Sequence, residues 1–157
     1  MKTLILYYSY SGNTRKIAQM LQNEIGGDIT EIKTAFPYKG DYTEVVNQGK
    51  QEIESGFLPE IQPINVDLEK YDTILLGTPV WWYTFAPAVN TFLTENDLSG
   101  KAIYPFATNG GWIGHTFKDF ESKCKGAHVN KGIDILFDEH TLKTSQDDII
   151  AWVKSIK

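Results

Sequence analysis

The chain has 157 residues, 41% of them hydrophobic and 22% charged, with 15 basic against 20 acidic side chains and a net charge of -5. That composition fits one domain, 1–157, with a single sizeable core and is not that of a disordered chain. The acidic balance argues against nucleic acid as the main partner, because phosphate backbones call for a basic patch. Cys124 is the only cysteine, which leaves no intrachain disulfide and no cysteine-based metal site.

The first apolar run, Thr3 to Tyr8, is continuous rather than alternating and reads as a buried parallel strand. Ser9-Tyr10-Ser11-Gly12-Asn13-Thr14 follows. A helix is predicted from Thr14 to Ile25, with Ile17, Ala18, Leu21 and Ile25 on one face and Gly26-Gly27 as its stop. A second strand is expected over Asp28 to Lys33. Tyr42, Val45, Val46, Gly49 and Ile53 then form one stripe of a helix.

Thr73 to Gly77 and Ala102 to Ala107 are two further buried strands, separated by a helix with Pro87 in its first turn. Pro105 cannot donate to a ladder, so a bulge is expected at that point. Phe117, Phe120 and Cys124 mark a helix, and the fifth strand falls within His128 to Phe137. Ser145 and Asp148 cap a last helix carrying Ile149, Ile150, Trp152, Val153 and Ile156. The alternation predicts a doubly wound α/β sheet of five strands with helices on both faces. No apolar run approaches the ~20 residues of a membrane span. The N-terminus starts with a charged residue and a short strand rather than a signal peptide, so a reduced, cytoplasmic setting is expected.

Open parallel sheets bind ligands beyond the carboxyl ends of their strands. Three loops lie there. The first, Ser9 to Thr14, joins a strand to a helix N-terminus, where free N–H groups and the helix dipole attract a phosphate. Ser9, Ser11, Asn13 and Thr14 add side-chain donors, and Gly12 lets the backbone come close. The loop has no Lys or Arg, and Arg15 is expected to point away along the helix, so a terminal monophosphate suits it better than a triphosphate. The same residues also serve as ordinary N-cap and turn formers. The second loop, Thr78-Pro79-Val80-Trp81-Trp82-Tyr83, and the third, Thr108-Asn109-Gly110-Gly111-Trp112-Ile113-Gly114-His115, hold three of the four tryptophans. Loop aromatics in such numbers call for a flat, polycyclic ligand whose polar edge Thr108, Asn109 and the N–H groups of Gly110 and Gly111 can meet, or for packing of Trp81 or Trp82 onto a neighbouring helix.

With these three loops in register, the chain resembles the flavodoxin-like flavoproteins over essentially its whole length. The resemblance implies the flavodoxin-like order 2-1-3-4-5, in its short-chain form, with FMN at the point where the order reverses. It further implies a non-covalent FMN whose phosphate lies on Ser9, Ser11, Gly12, Asn13 and Thr14. The isoalloxazine would then lie between Thr78, Pro79, Val80, Trp81, Trp82 and Tyr83 on one side and Thr108, Asn109, Gly110, Gly111 and Gly114 on the other. Electron carriers of the family place a glycine in the turn beside the flavin. Thr78 to Thr84 has none and Val80 is β-branched, so left-handed backbone and strong one-electron stabilisation are not expected here.

Three functions stay open at this level. One is a small electron carrier that meets a redox partner protein. Another is an FMN-dependent NAD(P)H:quinone-type oxidoreductase acting on small quinone or nicotinamide substrates. The third is a protein-binding aromatic patch without cofactor. His115, His128 and His140 show no metal spacing and no acidic partner in the sequence, and Cys124 reads as a small buried hydrophobe.

Overall fold

The computed structural model describes residues 2–156. Its elements follow in the order β1 (Thr3–Tyr8), α1 (Asn13–Ile25), β2 (Asp28–Ile32), α2 (Tyr42–Ser55), β3 (Thr73–Trp81), β4 (Thr84–Phe85), α3 (Pro87–Glu95), β5 (Ala102–Asn109), α4 (Thr116–Lys123), β6 (His128–Val129), β7 (Ile133–Asp138), β8 (Thr141–Leu142) and α5 (Gln146–Lys154). One sheet runs β2-β1-β3-β5-β7-β8, and its first five strands are parallel. These are the five strands expected from the sequence, in the implied order. The additional short strands β4 and β8 are antiparallel returns, and β6 extends the sheet beside β5.

The sheet is apolar on both faces because alternate residues of each central strand point to opposite sides. Leu4, Leu6, Ile74, Leu76 and Ile103 pack with Val89 and Phe92 of α3 and Phe120 of α4. Ile5, Tyr7, Leu75, Phe106 and Ile135 pack on the other face with Ile17 and Leu21 of α1 and Ile149 and Val153 of α5. Phe92, Phe106 and Phe120 are fully buried; truncating any one of them to alanine costs about 3–5 kcal/mol. Cys124 is buried at the end of α4, and burial pushes its thiol up to about 11.

Pro105 does not bulge its own strand. The register of β5 against β3 runs unbroken from Thr73↔Ala102 to Pro79↔Thr108. The irregularity lies in the neighbour: β6 pairs Ala102 and Ile103, and β7 resumes only at Phe106. Asn130, Lys131 and Gly132 therefore span the two residues Tyr104 and Pro105, one residue more than the register needs. Gly132 passes so close that a Cβ would lie 2.6 Å from the Pro105 carbonyl oxygen. A missing N–H in a central strand is absorbed by the partner that would have accepted it.

Two features position the site. β3 runs four residues beyond Gly77 and turns back through Trp82-Tyr83 into β4, pairing Val80 with Phe85 and Trp81 with Thr84. The chain between β2 and β3 folds onto itself through Ala35 N–H to Glu60 O (2.8 Å) and Gln62 N–H to Lys33 O (2.8 Å). That fold-back seats α2 beside this hairpin, with Trp81 against Gly49 and Trp82 Nε1 donating to Val46 O at 2.9 Å.

Candidate cofactor site

The β1–α1 turn enters α1 through Gly12, whose φ of 99° puts it in the left-handed region that glycine reaches freely. No side chain of Gly12 caps the helix, and its first turn holds no acidic residue. Ser9 Oγ accepts the N–H groups of Gly12 and Arg15, each at 3.2 Å. The N–H groups of Asn13 and Thr14 belong to the turn that has no intrahelical acceptor. Thr14 is buried, with its hydroxyl 2.7 Å from that of Thr108, so the first and third loops are tied at their bases. Arg15 points away as expected. Its guanidinium grips Glu31 at 3.2 and 2.7 Å, and that contact holds it charged beyond its usual range.

Asn13 reaches across the chain. Its Nδ2 donates to the Glu139 carbonyl at 2.8 Å, and its Oδ1 lies 3.3 Å from His140 Nδ1. Glu139 and His140 form the two-residue turn between β7 and β8, and Glu139 is itself left-handed, with φ 52°.

Trp82 and Tyr83 have φ values of 49° and 72°. A two-residue hairpin favours this mirror-image turn because it matches the strand twist, and Asn-Gly pairs usually fill it. Two aromatic residues there cost roughly 1–2 kcal/mol each. This corrects the expectation that a glycine-free turn avoids the left-handed region. The weak one-electron stabilisation inferred from the missing glycine loses its premise.

The strain is held from both sides. On one, Val46 accepts from the Trp82 indole, and Lys50 Nζ lies 5.2 Å from the centre of the Trp82 ring. On the other, His115 N–H donates to Tyr83 O at 2.8 Å, and the Trp112 ring leans on Tyr83 with 5.1 Å between centroids. The structure also gives His115 an acidic partner that sequence reading denied it. His115 Nδ1 and Thr84 Oγ1 both meet Asp119 Oδ2 at 2.5 Å, bracing the hairpin onto α4.

A cavity of about 460 Å³ opens between the first loop, the hairpin and α2, lined by Tyr10, Ser11, Tyr42, Val45, Val46, Gly49, Pro79, Val80, Trp81 and Trp82. That volume lies in the range of small-molecule sites, roughly 300–1,000 Å³. Trp81 closes its floor, met edge-on by Tyr8, Tyr10 and Tyr38, with the Tyr38–Trp81 centroids 5.1 Å apart. Of the two adjacent tryptophans, Trp81 therefore packs as core at the end of β3 and Trp82 stands at the rim. Behind Trp81, the Tyr38 hydroxyl donates to the buried Glu52 carboxylate at 2.6 Å. Burial, then that hydrogen bond, keeps Tyr38 protonated far above its ordinary range, and burial does the same for Tyr8.

Of the residues singled out in the sequence, Ser11, Pro79, Val80, Trp81 and Trp82 share this cavity. Ser9, Gly12, Asn13 and Thr14 form the adjoining start of α1. Thr78 is buried and spends its hydroxyl on Pro79 O and the Ala86 N–H. Tyr83, Thr108, Asn109, Gly110, Gly111 and Gly114 are not among the lining residues of the cavity. Asn109 anchors its own loop, contacting Asp134 and accepting from Gly111 N–H at 3.0 Å. Gly114 abuts Tyr83. Sequence reading found the α2 stripe at Tyr42, Val45, Val46 and Gly49 but left open whether it covers the sheet or borders the site; it lines the cavity. Sequence reading missed Glu139 and His140, more than a hundred residues from Asn13.

A family model described as flavodoxin matches residues 2–156. The chain belongs to the flavodoxin family. Flavodoxin 1 of Escherichia coli strain K12 is 29% identical over an alignment of 112 positions that covers 66% of this chain and 47% of that one. The chain thus spans about half the length of the curated flavodoxins it matches. A flavoprotein from Lactobacillus acidophilus NCFM, solved in complex with FMN, is 30% identical and covers 85% of this chain and 92% of its own, with a TM-score of 0.77. A Bacteroides uniformis protein reaches a TM-score of 0.84 at 28% identity, covering 98% of this chain and 97% of that one. Within the family fold, the three loops of this chain meet at the carboxyl ends of β1, β3 and β5, where the strand order reverses.

Proposed function

We propose that this chain binds FMN without a covalent link and carries electrons between redox partners. The observation that carries the reading is the junction of a helix start free of acidic residues, whose Asn13 and Thr14 N–H groups have no intrahelical acceptor, with an aromatic-walled cavity that begins at Ser11. A phosphate suits the first and a planar ring suits the second. The family and the FMN complex of the Lactobacillus acidophilus flavoprotein support the same cofactor.

FMN, when bound, supplies the redox chemistry. The protein supplies the rest. The turn from Ser9 to Thr14 holds the phosphate through N–H groups and Ser11. Pro79, Val80 and Trp82 offer the ring one apolar wall, and Tyr83 with Trp112 forms the neighbouring face of the hairpin. Trp82, Tyr83 and Trp112 are exposed, giving a partner protein an aromatic rim to approach. Among the described residues, none that lines the cavity carries a charge. Negative charge arriving with electrons therefore finds no counter-ion in the wall, which disfavours the reduced state.

Reconstitution with FMN, followed by its visible spectrum and a potentiometric titration, tests this reading. A yellow 1:1 complex with a two-electron midpoint potential below that of free FMN is expected. Absence of binding overturns the cofactor assignment, and a potential above that of free FMN overturns the electrostatic argument. Steady NADPH oxidation with a quinone and no partner protein would instead make the chain a reductase.

A further inference from the structure

We propose that His140, on the turn between β7 and β8, is the phosphate-facing cation of this site and makes the chain prefer phosphorylated flavin to riboflavin. The inference rests on the FMN reading above and adds a residue from the far end of the chain. Of the side chains in the β1–α1 turn, Ser9, Asn13 and Thr14 already have protein partners. Arg15, the first basic residue of α1, is committed to Glu31 in a two-point contact. A phosphate on this turn would otherwise meet backbone N–H groups and Ser11 alone.

The β7–β8 turn fills that gap. Asn13 occupies the first position of α1 and holds the turn with both ends of its carboxamide, through Glu139 O at 2.8 Å and His140 Nδ1 at 3.3 Å. Because the Asn13 amide nitrogen donates to Glu139, its oxygen faces the ring, and Nδ1 must be the protonated nitrogen. Nε2 is then the ring atom left for a further partner. Glu139 accepts a left-handed φ of 52° in the same turn, a conformation that persists where surrounding contacts impose it. His140 is exposed. Asp138 and Glu139 of its own turn, and Arg15, Lys16 and the Arg15-bound Glu31 around the start of α1, are the charged side chains of the segments that meet there.

Histidine changes charge between about pH 5 and 8, so an imidazolium over the phosphate would strengthen FMN binding at the acid end and leave riboflavin untouched. The experiment measures Kd for FMN and for riboflavin across that range in the wild-type chain, His140→Gln and His140→Lys. The phosphate's own second ionisation, near pH 6, is common to all three and cancels in the comparison. His140→Gln is expected to lose on the order of tenfold of the FMN-over-riboflavin preference at the acid end. His140→Lys is expected to keep that preference across the range, and riboflavin affinity to stay the same in all three. In the wild type, the imidazole nitrogen signals of His140 should shift on adding FMN and not on adding riboflavin. Equal preference in wild type and His140→Gln overturns the proposal, as does a parallel fall of both affinities, which would mean a merely loosened turn. A wild-type chain that binds no FMN overturns the cofactor reading itself, before His140 is tested.

Discussion

Two hairpins turn back at the carboxyl end of this parallel sheet, each through two residues with no glycine. At Trp82-Tyr83 both residues are left-handed; at Glu139-His140 only Glu139 is. The first is braced from α2 and from the loop after β5, through Val46, His115, Trp112 and Gly114. Among the described residues, the second is clipped to α1 by one side chain, Asn13. A turn can depart from favoured backbone only as far as its surroundings hold it there. The braced hairpin therefore stores more strain than the clipped one and forms the more rigid wall. The clipped hairpin is the more adjustable, and it sits at the end of the site where a flexible phosphate would lie.

The largest expected effect comes from removing the brace. Gly114 has φ 58°, and a Cβ there would fall 2.4 Å from Tyr83 Cβ and 2.5 Å from Tyr83 O. Gly114→Ala must move the hairpin or the loop, and about 3 kcal/mol of stability should be lost in urea denaturation. Affinity for FMN should fall with it. Unchanged stability would mean that the hairpin and the loop after β5 are not mechanically joined.

A smaller and sharper effect comes from relieving the strain itself. Replacing Trp82-Tyr83 by Asn-Gly installs the residues this turn prefers. Relief of roughly 1–2 kcal/mol per residue is offset by loss of the indole–Val46 hydrogen bond, about 1 kcal/mol, and of the Tyr83–Trp112 contact, about 1 kcal/mol. Net stability should thus stay the same or rise by up to about 2 kcal/mol while FMN binding weakens on the order of tenfold or more. Such a split would say that aromatic residues occupy an unfavourable turn for the sake of the ring they face. If binding survives intact, the hairpin's aromatics serve the fold alone.

How much of this was readable beforehand follows from the range of each interaction. The strands, the Pro87 start of α3 and the Ser145 cap of α5, with Asp148 N–H on Ser145 Oγ at 3.0 Å, rest on local pattern and were legible. So was the diversion of Arg15 away from the turn. The left-handed turn at Trp82-Tyr83 was not, because residue preference points the other way and distant partners decide. Pro105 was legible as a defect but not as one its neighbour would absorb, since register across the ladder is a property of two strands. The link from Asn13 to Glu139 and His140 joins positions that only the fold makes adjacent. His115 falls between these cases: Asp119 lies one helical turn beyond it, an i,i+4 spacing the sequence did display.

The smallest expected effect tests which cation serves the phosphate. Arg15 lies next to the turn in sequence, whereas His140 belongs to the clipped hairpin. Arg15 pairs with Glu31 at a site where its own side chain is 46% exposed, and exposed pairs contribute at most about 1 kcal/mol. In Arg15→Gln, Glu31 keeps the Tyr7 hydroxyl at 3.2 Å, so the carboxylate is not stranded. Stability should fall by less than about 1 kcal/mol. FMN affinity, measured by fluorescence quenching, should change by less than about twofold, since a charge neutralised by its partner contributes little field at the phosphate. A tenfold loss would put the guanidinium on the phosphate after all. The contrast between the two hairpins would then narrow to backbone strain, with the β7–β8 turn reduced to a support for α1.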